Sequence, residues 1–267
     1  MTRDLSRQSF LGPSSQSMLE RIKVGFVGGG GGGSHIVQQL AHAGVVNSVL
    51  ADNDIVEESN LNRLVGATAR DVKTAKPKVA ILSRLVRRLN PAANMQPLQG
   101  RWQDHQIHFR DCSVIFGCVD SFTERDELER FCRRFFIVYI DIGMDVIAYP
   151  DGHRIVGQVV QSFPGSHCLR CLGIVNDHKL ALEAKRYGAA GGRPQVVWPN
   201  GVLASTAVSV FMRLVTDWGP KSESVYLEYN GNDSILGESG VLKALRNEQC
   251  HHYDDIELGD SFVENAA

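Results

Sequence analysis

Asn60, Arg63, Lys76 and Lys78 bring an amide and three positive charges into one short stretch of chain. Groups of that kind hold a triphosphate and offset the charge that develops as pyrophosphate leaves. Upstream, six consecutive glycines, Gly28 to Gly33, follow the apolar run Ile22-Lys23-Val24-Gly25-Phe26-Val27 and open into Ser34-His35-Ile36-Val37. A strand, a bare turn and a helix start in that order let phosphates approach N–H groups at the positive end of a helix dipole. The spacing G-x-G-x-x-G falls on Gly28, Gly30 and Gly33, with Gly31 and Ser34 beside them. Alone it is a weak signal, shared by dinucleotide-binding domains generally. Asp52, roughly 20 residues on, stands where a carboxylate accepts hydrogen bonds from ribose hydroxyls, with Asp54 as its neighbouring alternative. The competing duty of either aspartate is to cap a loop. A nicotinamide cofactor carries only a diphosphate, so the added cations favour a nucleotide that is consumed. Lys78 taken by itself reads as a solvated lysine at a helix start; placed after Arg63 it reads as a phosphate ligand.

Asp120 follows Phe116-Gly117-Cys118-Val119, at the strand edge where a parallel sheet meets its ligands. A carboxylate beside a triphosphate suits Mg²⁺. Its competing role is to cap the helix that begins near Thr123. Cys168-Leu169-Arg170-Cys171 has the two-residue spacing that grips a tetrahedral Zn²⁺.

The elements that must position these residues alternate in the first half. Strands are expected at Ile22–Val27, Val45–Ala51, Met95–Leu98, Val114–Phe116 and Ile137–Ile142, with helices at Ser34–Ala43, Thr74–Leu89 and Thr123–Arg134. Asn90-Pro91 stops the second helix. That order implies an α/β fold: a Rossmann-like, mainly parallel sheet with helices on both faces. The second half adds an extended strand at Ile155–Phe163, a polar helix at Asp177–Tyr187, an apolar helix at Val202–Thr216 and a late strand at Ser224–Tyr229. These predict antiparallel strands extending the sheet. Gly188 to Pro194 is a mobile linker by composition, and the chain from about Glu248 reads as a frayed acidic tail.

Composition narrows the class. The 267 residues are 43% hydrophobic and 22% charged, with a net charge of −2, six cysteines and no run long enough to span a bilayer. That points to a cytoplasmic globular protein with no membrane partner, and away from a nucleic-acid binder. Cys112, Cys118 and Cys132 fall in apolar elements and read as packing residues. His35 reads as a partly buried spacer rather than a phosphate donor. Arg84, Arg87 and Arg88 read as a solvated helix face. Arg125 is expected either to pair with Asp120 or to line the site rim.

Taken together, Gly28 to Ser34, Asp52-Asn53-Asp54, Ser59-Asn60-Leu61-Asn62-Arg63, Lys76-Pro77-Lys78, Val119-Asp120 and Cys168-x-x-Cys171 resemble, in order, the motifs of the HesA/MoeB/ThiF family, the bacterial relatives of ubiquitin-activating enzymes. The likeness covers about residues 5 to 230. It implies ATP-dependent adenylation of the C-terminal glycine carboxylate of a ubiquitin-like or sulfur-carrier protein ending in Gly-Gly, with Mg²⁺, a homodimer, and in some members a downstream conjugating enzyme. An arginine near the family's N-terminus reaches the partner's ATP; Arg7 matches it in type and position. The family commonly completes the zinc site with a second cysteine pair, but here Cys250 is followed by His251-His252, so a Cys₃His site is expected, with His252 ahead of His251. No cysteine lies between Cys171 and Cys250, so a crossing segment over about 172–200, including Gln195 to Gly201, would drape over a peptide tail without thiol chemistry. The resemblance divides the chain into an N-terminal arm (1–20), an adenylation domain (21–247) and a tail (248–267). The alternatives are adenylation of a small carboxylate or modified tRNA, an NAD(P)-dependent oxidoreductase, and a degenerate nucleotide-sensing scaffold.

Overall fold

The computed structural model describes residues 4–185, 194–222, 224–245, 247–253 and 258–259. Among them the chain builds one sheet of eight strands, in the order β3-β2-β1-β4-β5-β6-β7-β8. The strands are β1 (Lys23–Val27), β2 (Asn47–Asp52), β3 (Asn94–Gln99), β4 (Val114–Gly117), β5 (Val138–Tyr149), β6 (Gly152–Ser162), β7 (Val225–Asn230) and β8 (Ile235–Glu238). The first five run parallel; β6, β7 and β8 pair antiparallel. The α/β architecture with its antiparallel extension is therefore as the sequence predicts.

The chain starts at β1, steps outward through β2 to β3, and returns to β4 on the other side of β1. That reversal opens a crevice beyond the C-terminal ends of β1 and β4, where ligands of open α/β sheets bind. Both faces are covered, as the near-continuous apolar strands require. On one face, α2 (Gly31–Ala43), α4 (Lys78–Leu89) and α7 (Val197–Val215) bury Ile36, Leu40, Leu82 and Phe211. On the other, α5 (Phe122–Arg134) packs Leu128 and Phe131 against Leu169 and Val175 of the cysteine knuckle. Shorter helices are α1 (Ser15–Arg21), α3 (Ala69–Lys73) and α8 (Gly240–Ala244); α6 (Asp177–Lys185) lies outside, with no buried residue. Leu11 and Leu19, from the N-terminal arm, join the main core. No helix among the described residues is long and apolar enough to cross a membrane.

Several boundaries differ from the sequence expectation for local reasons. Helix α2 begins at Gly31, inside the glycine run, rather than at Ser34. Helix α4 begins at Lys78 instead of Thr74, because Ala75 adopts φ +46° and Pro77 forces an extended approach. Helix α7 begins at Val197, so Trp198, Pro199 and Asn200 form its first turn rather than a draping loop; proline is tolerated there. The expected late strand at Ser224–Tyr229 is β7, but its hairpin partner β8 has no counterpart in the sequence reading. The expected linker and the end of the polar helix fall on residues 186–193, outside the described residues, apart from Pro194. The tail is not frayed where it begins: Tyr253 is buried and Gly259 N donates to Arg134 O at 2.8 Å.

Candidate functional site

The glycine turn lies at the mouth of the crevice. Gly28 adopts φ +91°, and a Cβ at Gly33 would sit 2.1 Å from Gly28 O, so neither position tolerates a side chain. The turn is braced from β2: Asp52 Oδ2 accepts from Gly29 N at 2.6 Å and Oδ1 from Asp54 N at 2.8 Å. Burial pushes the Asp52 carboxyl above its ordinary range, opposed by the nearby Lys78 ammonium. Lys78 itself is buried, not solvated, and its Nζ sits 2.6 Å from Asp54 Oδ2. Lys76 is half-buried and its carbonyl accepts from Val56 N at 3.0 Å. One electrostatic unit, Asp52, Asp54 and Lys78, thus borders the glycine turn.

Two residues expected to face the ligand are occupied with local structure. Asn60 is buried, and its Oδ1 accepts from Glu57 N at 3.1 Å in a reciprocal cap. Ser34 is fully buried: its hydroxyl donates to Gly31 O at 2.9 Å and accepts from Val65 N at 3.1 Å. Arg63 is half-buried and its Nη1 donates to Ser59 O at 2.6 Å and Asn62 Oδ1 at 2.9 Å.

Asp120 lies just beyond β4, exposed at the cleft with Gly30, Gly31, Gly143 and Met144. The helix-cap duty belongs to its neighbour: Ser121 Oγ accepts from Glu124 N at 3.2 Å. That leaves both Asp120 oxygens to the cleft, where Gln195 Nε2 donates to them at 3.3 and 3.2 Å. Arg125 pairs with neither Asp120 nor the rim. It is buried beneath the cleft, bonded to the Asp141 carboxylate and, at 3.1 Å, to Ile142 O, because a guanidinium taken out of water needs a matched anion. Asn200, which the sequence did not single out, is buried at the start of α7 against Gly31, its Nδ2 donating to Val196 O at 2.9 Å. Nor did it single out Glu183 on α6, which accepts from Phe122 N, Thr123 N and Thr123 Oγ1 at 2.8–3.0 Å.

The remaining residues resolve as follows. His35 is half-buried beside Gly201, and burial lowers its pKa, which suits a neutral spacer. Arg84 is not solvated: it makes a two-pronged bond to Asp71 at 2.5 and 2.8 Å, tying α4 to α3, while Arg87 and Arg88 are exposed. Cys112 and Cys132 are core residues, and burial pushes the Cys112 thiol up to about 12. Cys118 is half-buried and lines the cleft. Arg7 is exposed, on a short 3₁₀ helix (Ser6–Leu11) that Gln8 ties to Ala43 O at 2.8 Å. Ala43 ends α2 about 18 Å from the glycine turn, at about 1.5 Å per residue.

A second cluster gathers Cys168, Cys171, Cys250 and His252, with all ligand atoms within 4.8 Å of one another. Cys168 Sγ lies 3.6 Å from Cys171 Sγ, and His252 Nδ1 lies 3.5, 3.4 and 4.0 Å from the three sulfurs. Tetrahedral zinc bonds of about 2.3 Å to sulfur and 2.0–2.1 Å to nitrogen space their ligand atoms by roughly 3.5–3.8 Å, so the donor set fits that ion. Helix α5 pins every limb of the cluster. Glu129 accepts from Leu169 N at 3.0 Å and Tyr253 OH at 3.1 Å; Asp126 accepts from Arg170 Nε at 2.7 Å and Tyr253 OH at 2.8 Å.

A bare glycine turn at the switch point of a parallel sheet, with cations on one side and a free carboxylate on the other, defines a nucleotide-binding α/β domain. Within that class the chain belongs to the ThiF family, whose model matches residues 1–252. It is 32% identical over 226 residues to a SAMP-activating enzyme E1 of Haloferax volcanii, covering 84% of this chain and 78% of that protein. It is 25% identical over 237 residues to the molybdopterin-synthase adenylyltransferase of Salmonella typhimurium, covering 88% of each. Over 130 residues it is 35% identical to a sulfur carrier protein ThiS adenylyltransferase of Bacillus subtilis, covering 47% of this chain and 39% of that one. Among solved structures, the microcin C7 biosynthetic enzyme MccB in complex with N-formylated MccA shares the fold, with TM-score 0.71 at 19% identity over 88% of this chain and 70% of that one.

Proposed function

We propose that the chain is an ATP-dependent adenylyltransferase that activates the C-terminal glycine carboxylate of a ubiquitin-like or sulfur-carrier protein. The observation that carries this is the meeting of the glycine turn, Lys78 and the uncapped Asp120 around one crevice, in a chain whose relatives bear adenylyltransferase names. A carboxylate oxygen of the acceptor attacks the α-phosphorus; the bond to the β-phosphate oxygen breaks, and pyrophosphate leaves with its electron pair. The carboxylate is already ionised at neutral pH, so no general base is needed.

The chain's residues position and stabilise. The N–H groups opening α2 face the phosphates. Lys78 and Arg63 supply positive charge, Asp52 fixes the turn that receives the ribose, and Arg7 of a second copy completes the set in a homodimer. The tie of Gln8 to the far end of α2 supports that trans role, since it keeps Arg7 away from its own glycine turn. Asp120 would hold Mg²⁺, which supplies charge neutralisation to the leaving phosphates. Cys168, Cys171, Cys250 and His252 would hold a structural Zn²⁺. Six cysteines with no disulfide among them suit the reducing cytoplasm, where the adenylate would pass to a sulfur-transfer or conjugating enzyme. The test is ATP–pyrophosphate exchange with small proteins ending in Gly-Gly. Exchange that needs both the acceptor tail and Mg²⁺ is expected; exchange equally fast with a tail-truncated acceptor would reject the substrate class.

A further inference from the structure

The segment that crosses from the cysteine knuckle to α7 is fastened on both sides of Asp120, and the two fastenings differ in kind. On the incoming side, Glu183 seats its carboxylate on the N-terminus of α5. It accepts from Phe122 N at 3.0 Å, Thr123 N at 2.9 Å, Thr123 Oγ1 at 2.8 Å and Ser121 Oγ at 3.2 Å. Helix α6 buries no residue fully and packs only the half-buried Leu180 against the core, so this polar seat, with the Arg170–Asp177 pair and the Lys179 bonds to Gly173 and Ile174, supplies much of what holds it down. Charge-assisted bonds at a helix N-terminus are strong. On the outgoing side, Gln195 offers one neutral amide to both oxygens of Asp120 at 3.3 and 3.2 Å, while its carbonyl accepts from Asn62 Nδ2 at 3.0 Å. These are long contacts to an exposed carboxylate, and therefore weak.

The weaker fastening also closes the cleft. With Gln195 and Asn200 in place, the space between the glycine turn, Asp120 and Met144 is about 50 Å³. Sites for small ligands typically measure about 300–1,000 Å³. Gln195 lines this narrow space, and its side chain stands where a ligand would reach Asp120.

We infer that Gln195 is a displaceable occupant of the metal-binding face of Asp120. In the resting chain its amide satisfies the two carboxylate oxygens; magnesium-bound nucleotide takes those oxygens, and Gln195 swings out while Glu183 keeps α6 docked on α5. Metal–nucleotide binding and opening of the acceptor's path are then one event. Gln195 is a positioning residue, acting through Asp120, and Glu183 is its fixed anchor. The inference rests on the adenylation reading above.

The test is titration of Mg·ATP by calorimetry into the wild-type chain, Gln195→Ala, Asp120→Ala and the double variant, followed by acceptor kinetics on Glu183→Ala. Gln195→Ala should bind Mg·ATP about three- to tenfold more tightly, the value of one modest hydrogen bond. That gain should vanish in the Asp120→Ala background. Glu183→Ala should raise the acceptor KM several-fold while its Mg·ATP affinity stays within about twofold of wild type, as a merely structural role would not. Equal Mg·ATP affinity for wild type and Gln195→Ala, or a gain that survives without Asp120, would overturn the inference alone. Binding of Mg·ATP by neither protein would overturn the adenylation reading with it.

Discussion

Helix α5 serves two sites, and it holds them in opposite ways. At its N-terminal end Asp120 is exposed and held by a long contact to the Gln195 amide. One to three turns further on, Asp126 and Glu129 are locked into a buried lattice with Arg170, Tyr253, Leu169 N and Ser162 Oγ. Burial pushes the Glu129 carboxyl above its ordinary range, opposed first by the Arg133 guanidinium. A group meant to exchange partners during a reaction must be cheap to free, whereas a group that fixes a fold should be bonded from every side. The same thirteen-residue helix carries both arrangements, the loosely held carboxylate before its first turn and the bonded pair further along.

This contrast predicts separable effects. The largest should come from Glu129→Ala, which strands Arg133, the Leu169 N–H and the Tyr253 hydroxyl in the core. A loss of about 3–5 kcal/mol in urea unfolding is expected, and a loss below about 1 kcal/mol would mean that the lattice is not what anchors the knuckle. Asp120→Ala should do the reverse. Its exchange rate should fall about 10²–10³-fold, equivalent to roughly 3–4 kcal/mol, with the unfolding midpoint unchanged; a parallel loss of stability would place Asp120 in the structural set.

The Glu183 seat should show itself in acid. Burial pushes this carboxyl up, but the hydrogen bonds from Thr123, Phe122 and Ser121 together outweigh burial and leave it below the ordinary carboxylate range. A depressed folded pKa contributes stability that is whole above the unfolded value of about 4.3 and is lost as pH falls through the folded value. Glu183→Gln should therefore be less stable than wild type from pH 5 to 7, and the gap should close below about pH 4. A gap independent of pH would show that shape rather than charge holds α6. Smallest is Ser121→Ala, which removes a helix cap worth about 1 kcal/mol and should leave nucleotide exchange intact, separating the cap from its aspartate neighbour.

What could be read from sequence was what local order encodes. The glycine turn, the strand-end positions of Asp52 and Asp120, and the two-residue cysteine spacing each depend on residues close in the chain. Even the grouping of His252 with the three cysteines was within reach, because the family resemblance called for a second cysteine pair and a histidine stands beside Cys250 in its place. Contacts between distant segments left no such trace. Arg125 finds Asp141 on the next strand, Gln195 reaches back to Asp120, and Glu183 reaches back to Thr123, across intervals with no periodicity to betray them. Asn60 and Ser34 misled for a related reason: polar residues beside a ligand site are equally the residues that cap turns, and only the partner distances separate the two roles. One signal for Glu183 was available. A helix with little apolar surface to bury needs polar fastenings, and an acidic side chain is well suited to a helix N-terminus.

In the proposed reaction a carboxylate meets the α-phosphorus of ATP at the crevice between the glycine turn and Asp120. Intact-mass spectrometry of a Gly-Gly-ended acceptor, incubated with the chain, Mg·ATP and hydroxylamine, tests it directly. The account predicts conversion of the acceptor's C-terminus to a hydroxamate, dependent on ATP and absent with Asp120→Ala. An acceptor that stays unmodified across ubiquitin-like and sulfur-carrier proteins, or is modified equally well by Asp120→Ala, would contradict it.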